Sequence, residues 1–417
     1  MVERSVVVVV AFLLSVVESY TLRKLGSFPI PYPGFTTVYP KPSGDVDLLI
    51  STFDPIPFST DTAQIVPGIS HYLKSVSSIK PAVITDHVTW PNEVSGVPEH
   101  VFGRRMVAIP QGFLVPFKND GAIALMDIST TTPKGPFKLT DDSDGKWFYH
   151  RVIWKDMDSD GDDDAVTCRA REPIIGSDKE FELLWLENKG QLDGPWTPHV
   201  IAHGPDIFMR NVTLMTPSGP KDCIITAQYF TQSLSVYWTD NVTHSWTNLS
   251  QVHSRVIDNT IGGVFEVEVV DLNGDGKLDL LVSENGEKGA LYGFEIPVDF
   301  RTDNFTRHTI AQGFAPRKSG TGKGAPGSPT AVFPNKNAKQ KEKPSILLSG
   351  DDEGTAFYLE PLSADASTWT YNLTTFLQAG DGTVGQLSYA DADGDGYQEV
   401  FVPSYSTNEL YVFTFQP

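Results

Sequence analysis

Residues 271–284, DLNGDGKLDLLVSE, contain the pattern that most restricts how this chain folds. Oxygen-bearing side chains stand at Asp271, Asn273, Asp275 and Asp279, with Gly276 at the tight point and the apolar run Leu280-Leu281-Val282 directly after. The spacing recurs at Asp156, Asp158, Asp160, Gly161 and Asp164, and again at Asp391, Asp393, Asp395, Gly396 and Glu399. A hard cation takes roughly six to eight oxygens at about 2.3–2.6 Å, which a short loop supplies by turning positions 1, 3, 5 and 9 inward. Position 7 (Asp162, Lys277, Tyr397) offers its backbone carbonyl, so its side chain is free to vary. The expected ligand sets are Asp156, Asp158, Asp160, Asp162 and Asp164; Asp271, Asn273, Asp275, Lys277 and Asp279; and Asp391, Asp393, Asp395, Tyr397 and Glu399, giving about three structural Ca2+ sites. An EF-hand begins alike but needs a bidentate Glu at position 12 and helical flanks. Here position 12 is Thr167, Val282 or Val402, and the flanks read as strands.

The three loops start 115 and 120 residues apart, a distance that suits two repeat units rather than one. Worn copies lie between and before them: Asp222-Cys-Ile-Ile-Thr, Pro344-Ser-Ile-Leu-Leu-Ser, and Asp47-Leu-Leu-Ile-Ser. Each unit shows a strand, the loop or its remnant, an apolar strand, and a strand of alternating apolar residues such as GALYGFEI from Gly289 or NELYVFTF from Asn408. A fourth element repeats as WTPHVIAHG from Trp196 and FTRHTIAQG from Phe305, identical at five of nine positions. Period-two alternation with aromatics is strand-like. Four strands per unit of this length make a propeller blade. Seven units are counted, with loop regions near 45, 118, 160, 220, 275, 340 and 395. The last ends after its third strand, while YTLRKL from Tyr20 matches the fourth-strand pattern. The expected fold is therefore all-β: a single seven-bladed β-propeller of four-stranded blades over residues 20–417, closed by the N-terminal strand joining the last blade, which removes a bare sheet edge. An open β-solenoid or two sandwiches is the competing architecture.

The D-x-D-x-D-G-x-x-D loop before an apolar strand, in units of this size, resembles the FG-GAP/VCBS-type repeats, which include the integrin α-chain propeller. The resemblance covers most of residues 20–417. It implies calcium held by the loop residues named above, and adhesion to proteins or glycans. The Phe-Gly and Gly-Ala-Pro signatures of that family do not recur at blade spacing; Gly324-Ala325-Pro326 occurs once.

Residues 1–19 read as a secretory signal peptide, with Arg4, an apolar run from Val6 to Val17 and small Ser19. Secretion to the extracellular space, no membrane span and glycosylation are the expectations, the last from five sequons at Asn211, Asn241, Asn248, Asn304 and Asn372. Asn211 falls on an inner strand and is expected to stay bare. Cys168 and Cys223 either bridge adjacent blades or remain buried thiols. The formal net charge of −20 argues against nucleic acid or anionic membrane as a partner.

Among other residues, Lys336, Lys339, Lys341 and Lys343 with Arg317, Lys318 and Lys323 form a basic island, read either as a solvated loop or as a docking patch. His199 and His308 occupy equivalent fourth-strand positions and read as structural hydrogen-bonders. His87, His100, His150 and His203 lack metal-ligand spacing. Trp185, Trp238 and Phe294 read as core, whereas Trp90, Trp147, Tyr149 and Trp154 are candidates to stack on sugar rings at the channel mouth. No G-x-S-x-G, H-E-x-x-H, P-loop or C-x-x-C occurs. The leading expectation is a non-catalytic binding or adhesion module for extracellular protein or glycan. The alternatives are a carbohydrate-active enzyme, either a polysaccharide lyase or a hydrolase, with its site on one face of the ring, and a structural matrix protein.

Overall fold

The computed structural model describes residues 20–56, 58–115, 118–141, 147–171, 179–192, 194–240, 246–320, 322–336 and 343–417. The expected leader, the sequon at Asn241, and Lys339 and Lys341 lie outside the described residues. The fold is a seven-bladed β-propeller of four-stranded antiparallel sheets. Among the described residues the one α-helix is Glu99–Phe102, and no helix is long and apolar enough to cross a membrane.

The first blade comprises Pro33–Pro40, Val46–Thr52, Asp61–Val66 and Ala82–Val88; the second, Ser95–Val97, Met106–Pro110, Ile123–Asp127 and Lys134–Lys138. The third comprises Phe148–Lys155, Asp164–Arg171, Glu180–Glu187 and Thr197–His203; the fourth, Phe208–Thr216, Gly219–Gln228, Ser233–Thr239 and Val252–Asp258. The fifth comprises Val264–Val270, Asp279–Glu284, Gly289–Glu295 and Thr306–Phe314; the sixth, Pro329–Val332, Ser345–Ser349, Thr355–Pro361 and Tyr371–Gln378. The seventh holds Ser388–Ala390, Glu399–Ser404 and Glu409–Thr414, and Arg23–Pro29 completes it. That closing strand runs antiparallel to the last one, from Arg23 opposite Thr414 to Pro29 opposite Glu409. It starts three residues later than the sequence pattern places it. Tyr20 docks on the sixth blade instead, donating its N–H to Glu360 Oε1 (3.0 Å) and accepting from Asn335 Nδ2 (2.6 Å).

First strands surround the axis, where Arg151 of the third blade reaches Glu266 of the fifth at 2.8 Å. Because successive strands reverse direction, first-to-second turns collect on one face, here the lower. Second-to-third turns and blade-to-blade connections collect on the upper face. Second and third strands lie between neighbouring sheets, and Val46–Thr52 and Ser233–Thr239 are buried at every residue. A short continuous apolar run suits a strand covered on both faces. Trp185, Trp238 and Phe294 pack in these inter-blade cores.

Two expectations are corrected, and the alternative left open for the cysteines is decided in favour of buried thiols. The second blade turns between its first two strands at 98–105, not near 118, which lies between its second and third strands. Its first strand has only three residues and its turn holds a helix, so no loop pattern marks it. Cys168 and Cys223 do not face each other. Cys168 packs with Ile224 between the third and fourth blades, while Cys223 points with Trp238 toward the fifth; both are buried free thiols. Alternation along the strand turns Ile224, not Cys223, toward Cys168. The described members of the basic island are dispersed as well. Lys336 lies on the lower face, its N–H bonded to Gly396 O, and buried Lys343 caps the Thr368 carbonyl. Arg317, Lys318 and Lys323 belong to an upper-face connection. Asn248, Asn304 and Asn372 are exposed, and so is Asn211, on the inner strand of the fourth blade.

Candidate functional site

The acidic loops occupy the lower face. In the fifth blade Asp271 accepts from the N–H groups of Gly274 (2.7 Å) and Gly276 (2.8 Å), Asn273 from Asp275 (2.9 Å), and Asp279 from Leu272 (3.0 Å). The other loops repeat this weave, with Asp156 bonded to Gly161, Asp164 to Met157, Asp391 to Gly396, and Glu399 to Ala392. Oxygens of Asp156, Asp158 and Asp164 lie within 4.8 Å of one another, as do those of Asp391, Asp393 and Glu399. Asp160, Asp162, Asp275 and Asp395 are exposed, and Lys277 turns its ammonium onto Asp275 (3.1 Å). Half-buried Tyr397 donates its N–H to Asp395.

The ninth-position acid separates two kinds of blade. In the first, buried Asp47 pairs with Lys41 (2.6 Å) and Arg105 (3.1 Å); in the fourth, Asp222 pairs with Lys155 (3.0 Å). Asp164, Asp279 and Glu399 make no ion pair among the described residues. Burial first, and then the neighbouring loop carboxylates, pushes each of them up to about 7. Asp391 Oδ1 is buried with no hydrogen-bond partner. An all-oxygen set with an uncompensated buried carboxylate fits a hard divalent cation.

The upper face holds a different site. A cavity of about 790 Å3 opens on the axis, and every blade contributes to its wall. One side is aromatic. Trp90 stacks between Phe53 (centroids 4.5 Å apart) and Phe113 (5.5 Å), and Tyr405 lies 5.4 Å from Phe53. Trp90 takes a left-handed backbone (φ 47°), held by its N–H to Asp61 Oδ2 at 2.7 Å; buried Lys118 fixes that carboxylate at 2.8 Å. Further round, Tyr229 and Phe230 sit on a turn whose three N–H groups converge on buried Asp206, at 2.7, 2.8 and 3.0 Å.

The sixth blade carries the polar side. Asp351 also has a left-handed backbone (φ 49°), pinned by reciprocal bonds with Val384, and its Oδ2 accepts from Asn285 Nδ2 at 2.9 Å. Asp352 accepts from Lys323 Nζ (2.6 Å), Thr383 Oγ1 (2.8 Å) and the Gly324 N–H (3.2 Å). Burial above all, and next the Asp352 charge, holds the Asp351 carboxyl well above the usual carboxylate range. In a ring of seven, the sixth blade stands across the axis from the second and third, so Asp351 lies across from Phe113, and the aromatic wall runs round from there to Tyr405 on the neighbouring seventh blade.

The floor is a buried ion network. Arg151 meets Glu93 (3.2 Å), Glu266 (2.8 Å) and Gln386 (3.2 Å), and Arg210 meets Glu266 (2.6 Å). A second cavity of about 380 Å3 adjoins it, lined partly by Arg210, Glu266 and Glu268. His150 lies at the pit wall, edge-on to Phe35 (5.5 Å) and against Phe208 (4.6 Å).

Of the aromatics singled out by sequence, Trp90 lines the pit. Trp147 lies under Arg169 and Trp154 packs on Phe102, while Tyr149 is buried; none of these three reaches it. His199 and His308 are structural, stacked on Trp185 and Trp369 and bonded to Glu187 and Glu295. Sequence reasoning missed Asp351 and Asp352. The available signal was a Gly-Asp-Asp-Glu-Gly turn opening the third strand of a blade without a metal loop.

No family model matches the chain, and no curated protein matches its sequence. Among solved structures, a glucose dehydrogenase is similar over 78% of this chain and 96% of its own, at 10% identity and a TM-score of 0.44. An α-L-arabinofuranosidase from Fusarium graminearum, in complex with an iminosugar inhibitor, covers 94% and 97% at 11% identity and a TM-score of 0.44. A PQQ-bound aldose sugar dehydrogenase from Streptomyces coelicolor covers 95% and 97% at 13% identity and a TM-score of 0.36. Likeness of this degree does not bear on what this chain does.

Proposed function

We propose that the upper-face pit is a carbohydrate site and that the chain is a glycoside hydrolase with Asp351 as its proton donor. The observation that carries this reading is a half-buried carboxyl and a fixed aromatic wall lining one cavity. A sugar ring is amphipathic: its C–H face stacks on aromatic rings, while its hydroxyl edge bonds to groups such as Asn285, Asp352 and Thr383. Hydrolysis of a glycosidic bond uses two carboxyl groups. Asp351 gives its proton to the departing oxygen as the C–O bond breaks; water adds to the anomeric carbon and its proton returns to the Asp351 carboxylate, while the Asp352 charge beside it stabilises the positive charge that develops on the sugar. A lyase is disfavoured because it must neutralise a uronate carboxylate. Lys323, the one Lys or Arg among the described lining residues, is already bound to Asp352.

The test is hydrolysis of a panel of neutral oligosaccharides by wild type and Asp351→Asn. Turnover by wild type, with binding but no turnover by the variant, supports the assignment. Binding without turnover in both would return the chain to the reading of a non-catalytic sugar-binding module.

The lower-face loops of the third, fifth and seventh blades are proposed to hold structural calcium, as their FG-GAP/VCBS-type pattern implies. The contrast between the paired acids Asp47 and Asp222 and the unpaired Asp164, Asp279 and Glu399 supports this. Lying on the face opposite the pit, the ions would act on blade stability rather than on substrate.

A further inference from the structure

We propose that the pit accepts only the free end of a neutral glycan, so that the enzyme works from chain termini. This deepens the hydrolase reading and rests on it for the sugar chemistry. The inference itself comes from the shape and charge of the cavity.

A polysaccharide bound along its middle needs a groove with two open ends. Here every blade contributes to the wall, from Phe35 and Phe53 of the first round to Tyr405 of the seventh, so the wall closes on itself. The way through the axis is closed too. Arg151 spans from Glu93 to Glu266 and Gln386, tying the first strands of the third and fifth blades to the connections that lead into the second and seventh beneath the pit. A chain that enters therefore has to stop. A volume of about 790 Å3 lies within the ~300–1,000 Å3 that encloses one small ligand, which suits a short terminal segment.

Charge narrows the class further. Asp351 and Asp352 stand on one side, Lys323 is neutralised by Asp352 at 2.6 Å, and Arg151 by Glu93 and Glu266. Nothing among the described lining residues is left to offset a uronate or sulfate, and the chain as a whole carries −20. Anionic polymers are repelled by this field.

The experiment measures binding of the Asp351→Asn chain to cello-, xylo-, manno- and arabinohexaose. Each is tested free, blocked with a bulky group at either end, and blocked at both; hexagalacturonate is the anionic probe. Asn tolerates the left-handed backbone at 351, so this variant is expected to fold. The expected result is binding of at least one free hexasaccharide, at least tenfold weaker binding when one particular end is blocked, and no binding of hexagalacturonate. Equal affinity for the doubly blocked chain would overturn end-on entry while leaving the sugar site standing. Preference for hexagalacturonate would overturn neutrality. Binding to none of the probes would overturn both this inference and the hydrolase reading. Product analysis with wild type gives an independent check: stepwise release from one end is expected, and a rapid fall in polymer viscosity would sink the idea.

Discussion

The proposed role of Asp351 rests on its surroundings in the fold. Its carboxyl is half-buried at the pit wall, bonded to Asn285 and set beside Asp352, and desolvation with the Asp352 charge favours the protonated form. Positioned acids contribute typically about 10²–10⁴-fold to rate. Asp351→Asn keeps shape and backbone preference, and is expected to lower kcat by roughly that factor while leaving the melting temperature nearly unchanged. The wild-type rate should fall on the alkaline side, as pH rises through the raised pKa and the donor loses its proton; a rate flat across that limb would contradict the role. His150 is the opposite case. Burial, with Arg151 adding and Glu266 partly offsetting, holds it down at about 3 instead of 6.5. It stays neutral while folded, whereas the unfolded chain takes up a proton below about 6.5. Its contribution is therefore intact above that pH and is lost as pH falls toward 3, by up to roughly 4 kcal/mol. His150→Gln is expected to flatten stability between pH 6 and 4 in urea titrations. An unchanged slope would mean that other groups dominate acid unfolding.

At the scale of elements, the same hairpin is stabilised in two ways. The first and fourth blades neutralise the buried acid with lysine or arginine, whereas the third, fifth and seventh present it to a loop of further oxygens. If those loops hold calcium, chelation removes a ligand of the folded state alone, worth about 2.7 kcal/mol at a hundredfold excess over Kd. EGTA is expected to lower the Tm, with Asp275→Ala and Asp395→Ala each reproducing part of the shift; a Tm indifferent to EGTA would make the ions incidental. The closing strand is the other decisive element. Phe28 is fully buried with Leu410 and Val412 of the last blade and Leu48 of the first. Phe28→Ala should cost about 3–5 kcal/mol in equilibrium denaturation, because one side chain there joins both ends of the ring. A loss below 1 kcal/mol would mean that the ring does not depend on that seam. Much of this level was legible in the sequence. Asp47-Leu-Leu-Ile-Ser and Asp279-Leu-Leu-Val-Ser announce the same second strand, and Tyr20-Thr-Leu-Arg-Lys-Leu announces the missing outer one. The second blade was legible only in its third strand, since its first is three residues long and its turn carries no acidic pattern.

The whole molecule is a ring whose two faces carry different features, with acidic loops below and the pit above. Its axis is bridged by Arg151, which is 4% exposed and contacts acids from two other blades. Breaking a buried ion pair from one side leaves uncompensated charge, at a cost of roughly 3–5 kcal/mol. Arg151→Met is expected to destabilise the chain by about that amount, read by chemical denaturation. A smaller loss would show that water enters and solvates Glu93 and Glu266. The sequence by itself determined the repeat, the strand order, the closure of the ring and the oxygen-rich loops, because each depends on spacing between residues near one another in the chain or on a period carried along it. Tertiary structure alone decided the pit. Phe53, Trp90, Asn285 and Asp351 come from turns and connections scattered over four blades, and no local pattern links them. They become a site because seven sheets of one handedness bring their second-to-third turns and blade-to-blade connections to the same end of the axis. Burial at that end then sets the protonation of Asp351, a property that its neighbours in the chain do not encode.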